Sequence, residues 1–342
     1  MNQTESRKDD HINISLNEDV SGDGCCWDKI HFIHNALPEV NKDEIDLSTT
    51  LFGKKIGFPL AISSMTGGYE KAKEINENLA YAASEYDIPM GVGSQRAALE
   101  NKSLEDTYGI IKDFDIPLRF ANIGASQIVL WDRKKMLDKA YDMIEMIDAD
   151  VFVVCLNFLQ EVIQYEGESH AKGCTEKISY LVDNLDLPVM VKETGAGISY
   201  DVAERLSDNG VSAIDVGGYG GTSFAAIEYY RAKKIDDDLH ARGGKTFWNW
   251  GIPTPYAIGE VGKAVDWKIP VIATGGIRNG LDGAKALGLG ADAFGMAHKL
   301  LKPAVKGKKD IVNEIDALYK ELRAAMFLIG AEKISEIKKS LV

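Results

Sequence analysis

From Pro59 onward the chain repeats one unit: a short apolar run, a loop carrying Gly or Asn, then a charged stretch of helical length with an apolar side. Alternation of this kind specifies βα units and a parallel sheet, because parallel neighbours need a crossover long enough to hold a helix. The apolar runs are Pro59–Ser63, Met90–Val92, Leu118–Ala121, Val151–Leu156, Pro188–Val191, Ala213–Val216, Pro270–Ala273 and Ala293–Met296. Helical stretches are expected over Tyr69–Tyr86, Leu104–Phe114, Arg133–Ile147, Cys174–Asn184, Ser199–Asn209, Pro255–Val265 and Gly280–Leu289, with a last one from Asp310. Eight βα units close into an α/β barrel of the (β/α)8 type, whose active site lies at the C-terminal ends of the strands. An open doubly wound sheet would need Gly-x-Gly-x-x-Gly after its first strand, and Ser63-Ser64-Met65-Thr66-Gly67-Gly68 does not supply it.

The 342 residues suit one such barrel domain over 1–342. Residues 1–50 read as a polar, irregular N-terminal arm and leader, with a turn at Gly22–Gly24 and a short strand at Trp27–Phe32. Residues 228–254 read as a long loop after the sixth strand, rich in charge and Gly and carrying Thr246-Phe247-Trp248-Asn249-Trp250-Gly251.

A net charge of −13 gives no general attraction to nucleic acid or anionic lipid, and neither is expected as a partner. No run of some 18 apolar residues implies a membrane span, and residues 1–10 lack the apolar core of a signal peptide. Cys25, Cys26, Cys155 and Cys174 have no zinc-ligand spacing and are too few for a disulfide framework, which points to a reducing, cytoplasmic setting.

The late strands carry the strongest chemical signal. The sixth ends in Asp215-Val216-Gly217-Gly218-Tyr219-Gly220-Gly221-Thr222-Ser223, the seventh in Thr274-Gly275-Gly276-Ile277-Arg278, and the eighth in Gly295-Met296-Ala297. One Gly pair makes only a tight turn. Clusters on consecutive late strands, with Arg278 beside them, let backbone N–H groups approach a phosphate where this barrel type binds one.

The early strands end in hydrogen-bonding groups: Ser64 to Gly68, Gly93 to Arg96, Asn122, and Asn157 to Glu161. Such a set suits the edge of a flat polar ring system. Lys192, ending the fifth strand, either stabilises negative charge on such a ring or pairs with Glu193 or another carboxylate. Glu161 lies among the amides Gln160 and Gln164. It is either a solvated carboxylate or a Mg²⁺ ligand of the kind that also uses substrate phosphate oxygens. Arg7 and Lys8 form a pair of cations that either meets a diphosphate or stays loose in solvent.

Together these segments resemble the type 2 isopentenyl-diphosphate isomerases, from Arg7-Lys8 to Met296-Ala297. The most specific pieces are Ser63 to Gly68, Gly93 to Arg96, Asn157 to Glu161 and Gly220 to Ser223. The resemblance implies FMN contacts from Ser64, Met65, Thr66, Ser94, Asn122, Lys192 and Thr222, and a phosphate end held by Gly276, Ile277, Arg278, Met296 and Ala297. It implies an isoprenoid diphosphate substrate held by Arg7, Lys8, Ser94, Gln95, Arg96 and Gln160, and Mg²⁺ on Glu161. The implied reaction interconverts isopentenyl and dimethylallyl diphosphate by a 1,3-proton shift. Reduced FMN carries the chemistry, Gln160 orients the substrate, and NAD(P)H only reduces the flavin. A homo-oligomer is also implied.

Three positions depart from the family pattern: Cys155 where His is usual, Gln164-Tyr165-Glu166-Gly167-Glu168 in place of Gln-Pro-Glu-Gly-Asp, and Phe224 where Trp follows Thr-Ser. Three other readings compete with this one. An inosine-monophosphate dehydrogenase needs a nucleophilic Cys between Gly217 and Ser223, which is missing. A hydroxy-acid oxidase needs a His base near the late strand ends, where only His298 stands. A flavoprotein without turnover would bind FMN and leave the substrate unchanged.

Overall fold

The computed structural model describes residues 3–24, 26–339 and 341. Cys25 and the extreme N-terminal residues Met1 and Asn2 lie outside the described residues. The strands are β1 (Thr49–Leu51), β2 (Lys54–Ile56), β3 (Leu60–Ile62), β4 (Met90–Gly91), β5 (Arg119–Gly124), β6 (Val151–Leu156), β7 (Val189–Glu193), β8 (Ala213–Asp215), β9 (Val271–Thr274) and β10 (Ala293–Met296). β1 and β2 form an antiparallel hairpin, while β3 to β10 run parallel in sequence order and β10 closes back onto β3. All eight expected apolar runs are therefore barrel strands.

The helices are α1 (Gln3–Asn17), α2 (Ala72–Glu85), α3 (Arg96–Glu100), α4 (Asp106–Gly109), α5 (Ala125–Leu130), α6 (Arg133–Ile147), α7 (Phe158–Ile163), α8 (Cys174–Asn184), α9 (Tyr200–Asp208), α10 (Phe224–Lys234), α11 (Asp238–Thr246), α12 (Thr254–Ala264), α13 (Gly280–Gly288), α14 (His298–Lys306) and α15 (Lys308–Ile329). The main core lies between strands and helices, with Leu60, Ile62, Phe152, Val154, Ile214 and Phe294 from the strands facing helix residues such as Leu79, Ile147 and Leu287. A second cluster fills the barrel interior with Ala61, Phe120, Val153, Met190 and Ile272, so the barrel is a packed core and not a pore.

Three local expectations are corrected. The arm is not irregular: residues 3–17 form α1, tied across the barrel mouth by Thr4 Oγ1 to Glu100 (2.8 Å), Lys8 Nζ to the Ser94 carbonyl (2.6 Å) and His298 Nε2 against the Ser15 carbonyl (2.6 Å). The segment after Cys25 is not a strand, since Cys26–Lys29 is a 3-10 turn that buries Trp27, and Phe32 makes only an isolated bridge to Leu341. The insertion after the sixth barrel strand is present but folded, as α10 and α11 occupy most of it. Ser223 caps α10 by accepting from Ala226 N, and Asp237 caps α11 by accepting from His240 N. Charge and Gly in residues 228–254 masked two helices that their caps announce.

Candidate active site

A cavity of about 1000 Å³ opens at the C-terminal ends of the barrel strands, under α1. Its far end, between β8 and β10, is built by glycine contacts. Gly276 has φ +69°, and a Cβ there would stand 2.4 Å from the Gly220 carbonyl oxygen. A Cβ on Gly221 would stand 2.5 Å from Gly276 N. Only glycines allow these two loops to touch backbone to backbone, leaving main-chain N–H groups for an anion. Thr222, Gly276, Ile277, Arg278, Met296 and Ala297 all line this end. Arg278 is tied to Asp282 (2.9 Å) and Asp28 (2.8 Å).

The middle of the cavity is lined by Ser64, Met65, Thr66, Ser94, Asn122 and Lys192. Asn122 Oδ1 is buried without a hydrogen-bond partner within the chain, while its Nδ2 donates to the Val92 carbonyl at 3.3 Å. A buried acceptor left open calls for a donor from something bound. Lys192 is buried on the floor. Its Nζ donates to the Glu193 carbonyl oxygen (2.7 Å) and stands 3.7 Å from Cys155 Sγ. The pairing is thus with the Glu193 backbone and not with its carboxylate. Burial opposes the Lys192 charge, but Cys155, Asp215 and Glu193 outweigh it and raise its pKa. Burial pushes the Cys155 thiol up. The Glu193 carboxyl is pushed up to about 7 by burial, against the Ala196, Gly195 and Thr194 N–H groups that draw it down. Asp215 accepts from Thr274 Oγ1 and from Gly217 N (3.2 Å), and burial raises its pKa against the pull of Lys192.

The near end is cationic. Arg7 and Lys8 enter from α1, and Arg96 from the start of α3. Lys8 Nζ also donates to the Tyr108 hydroxyl oxygen (3.0 Å) and lies 5.4 Å from that ring's centre. Burial, then Arg7, push the Lys8 ammonium down to about 7. Arg96 reaches Glu100 (2.7 Å) and Glu168 (3.3 Å). Glu161 is buried and fixed by three donors: Asn157 Nδ2 (2.7 Å), Gln164 Nε2 (2.6 Å) and Glu168 N (2.8 Å). No cluster of three or more His, Cys, Asp or Glu able to hold a metal occurs among the described residues. Gln160 Nε2 lies 3.5 Å from Glu228 Oε1.

Gln95 is the one expected site residue turned away. It is fully buried, donating to the Met143 carbonyl (2.9 Å) and accepting from Asn122 N (3.1 Å) through its side chain. Its neighbours Ser94 and Arg96 face the cavity while its own side chain packs behind the barrel wall, away from the cavity. His11 was overlooked: it lines the cavity from α1, with Nε2 2.9 Å from Glu228 Oε1. His298 is thus not the only imidazole near the site.

The sequence matches the FMN-dependent dehydrogenase family over residues 23–154 and 157–342. Among curated proteins it is 47% identical over 333 residues to an isopentenyl-diphosphate delta-isomerase of Thermoplasma acidophilum, covering 97% of this chain and 94% of that one. It is 42% identical over 346 residues to an isopentenyl-diphosphate delta-isomerase of Methanosarcina mazei, covering 100% of this chain and 92% of that one. Among solved structures, a mandelate oxidase variant matches with a TM-score of 0.66 at 19% identity, covering 99% of this chain and 98% of that one, which bears on the fold alone.

Proposed function

This chain belongs to the FMN-dependent dehydrogenase family and, within it, to the isopentenyl-diphosphate delta-isomerases, and from that premise we propose that it interconverts isopentenyl and dimethylallyl diphosphate through the residues around its cavity. The observation that carries the assignment of roles is the cavity's polarity. A glycine cradle stands at one end, the cations Arg7, Lys8 and Arg96 at the other, and the buried cation Lys192 beneath. Two anionic groups and a ring between them fit such a space.

The residues present suit FMN. The Gly221 and Gly276 cradle takes its phosphate end with Ile277, Arg278, Met296 and Ala297. Asn122, Ser64, Met65, Thr66, Ser94 and Thr222 would hold the ring and its tail, and Lys192 would supply a positive charge to stabilise negative charge on the ring. Reduced FMN supplies the proton and the electron-rich face that a 1,3-shift on an unactivated alkene requires. Arg7, Lys8, Ser94 and Arg96 hold the substrate's diphosphate. Glu161, its carboxylate locked by three donors, would offer one ligand to a Mg²⁺ bound with the substrate's diphosphate, the kind of site that ion prefers. Gln160 cannot ionise, and it orients the isoprenoid chain. α1 covers the near end and keeps bulk water from the alkene.

In this reading NAD(P)H serves only as the flavin's reductant, the whole chain acts as one FMN-binding domain, and the enzyme works in the cytoplasm. Assembly into a homo-oligomer belongs to the same reading. No described helix is long and apolar enough to cross a membrane.

The test is an anaerobic incubation of the protein with isopentenyl diphosphate, Mg²⁺ and FMN, with and without NADPH or dithionite. Dimethylallyl diphosphate formed only with reduced flavin is the expected result. A flavin spectrum on the purified protein with no product under reducing conditions would favour the non-catalytic flavoprotein instead.

A further inference from the structure

We propose that Arg231, which does not line the cavity, is a positioning residue for the isomerisation, holding Glu228 so that Glu228 in turn sets His11 and Gln160 against the substrate. The proposal rests on the function given above. Arg231 is 3% exposed, and its guanidinium is shared between two carboxylates, Glu228 Oε2 through Nη1 (2.6 Å) and Glu166 Oε1 through Nη2 (2.6 Å). It lies 5.1 Å from the centre of the Tyr165 ring, and its Nε is 3.9 Å from Asp10. One side chain of α10 thereby meets α1, through Asp10, and the loop after α7, through Tyr165 and Glu166.

The two oxygens of Glu228 divide their work. Oε2 takes Arg231, while Oε1 faces His11 Nε2 (2.9 Å) and Gln160 Nε2 (3.5 Å). Glu228 is itself buried, whereas His11 and Gln160 line the cavity. Without Arg231 the Glu228 carboxylate would lose the partner that fixes its plane, and Oε1 would no longer be held toward the two cavity residues. A rigid planar fork can serve two carboxylates at once, and an ammonium cannot do so with the same geometry. Buried charge clusters are a poor source of stability compared with apolar packing of the same volume, so a role in placement accounts for this one better.

The test uses the FMN-loaded enzyme, reduced, with isopentenyl diphosphate and Mg²⁺, comparing wild type with Arg231→Lys, Arg231→Met and, as an exposed control on the same helix, Lys233→Met. The expected result is a kcat at least tenfold lower in both Arg231 variants, with KM within threefold and FMN affinity unchanged. Arg231→Lys keeps a charge and most of the fold, so it carries the test if Arg231→Met does not fold. Glu228→Gln should lose kcat similarly, and the Arg231→Lys/Glu228→Gln pair should be little worse than either alone, since both act on one path. The ring ¹⁵N signals of His11 should shift in Arg231→Lys and stay put in Lys233→Met, a readout that needs no turnover. Wild-type kcat in Arg231→Lys, or unmoved His11 signals, would overturn the proposal even if thermal stability fell. A wild-type protein that makes no dimethylallyl diphosphate with reduced flavin would instead remove the functional reading, and this proposal with it.

Discussion

Diphosphate binding should draw a proton onto Lys8, and the affinity should therefore fall as pH rises above neutrality. In the chain alone the Lys8 ammonium is pushed down to about 7, first by burial and then by the adjacent Arg7 charge, with Glu100 pulling the other way and Arg96 adding to the depression. Its Nζ is held by the Ser94 carbonyl at 2.6 Å, a neutral acceptor that cannot restore a full charge. A diphosphate brings negative charge to the same end and favours the ammonium. The sign follows from proton counting: where the free protein has a neutral Lys8 and the complex a charged one, binding takes up a proton, and each unit of pH costs tenfold in affinity. If the complex returns Lys8 close to its ordinary range, moving from pH 7, where Lys8 is already half neutral, to pH 8.5 weakens binding roughly sixteenfold, about 1.7 kcal/mol. The term fades through pH 7 and is gone about a unit below it, where Lys8 is charged in both states. The assay is calorimetric titration of the FMN-loaded, oxidised protein with isopentenyl diphosphate and Mg²⁺ at pH 6.5, 7.5 and 8.5, in two buffers of different ionisation heat. Lys8→Met is titrated in parallel, and the ligand's own ionisation is common to both proteins and drops out of the difference. The reasoning is refuted if wild type and Lys8→Met differ by the same factor at all three pH values, or if no extra proton is taken up by the wild type at pH 7.5 to 8.5.

Three further outcomes are expected. Gly276→Ala places a side chain at φ +69° and 2.4 Å from the Gly220 carbonyl, so it should lose at least tenfold in FMN affinity, read by flavin fluorescence, while the far-ultraviolet circular dichroism of the barrel persists. Gln95→Ala leaves the Met143 carbonyl and Asn122 N without their partner and should cost about 1–3 kcal/mol in denaturant unfolding, yet leave KM for isopentenyl diphosphate within twofold. A large KM increase with unchanged stability would restore Gln95 to the substrate site. Glu161→Gln should raise the Mg²⁺ concentration needed for half-maximal rate at least tenfold without changing FMN binding, and chelation should stop the wild-type reaction without releasing flavin. An unaltered Mg²⁺ dependence in that variant would remove Glu161 from the metal.

What could be read from the sequence divides along the source of the structural information. Val151–Leu156 and Ala293–Met296 are strands over the very residues expected, and Arg133–Ile147 and Cys174–Asn184 are helices likewise, because apolar period and local caps such as Asp132 accepting from Lys135 N determine them within a few residues of chain. The glycine cradle is equally legible, since the clustered Gly pairs mark it in the chain and a Cβ on Gly276 would stand 2.4 Å from the Gly220 carbonyl oxygen. α1 is different. Its apolar residues Ile12, Ile14 and Leu16 alternate instead of following a helical period, and what holds it is a set of partners far along the chain: Glu100, Ser94, Glu228 and His298. Gln95 fails for the converse reason, for Ser94 and Arg96 on either side do face the cavity, and nothing local marks the middle residue as turned outward. Arg231 and Glu228 fall in a stretch whose charge and Gly read as loop, and a charge pair three residues apart looks like an ordinary solvated pair until Asp10 and Glu166 are brought beside it. The groups that backbone geometry forces are therefore legible one segment at a time. The groups that act through long-range charge pairing become visible only when segments some 65 and more residues apart, as Glu166 and Arg231 are, are folded together, and here those are the groups that tie α10 to α1 and to the loop after α7.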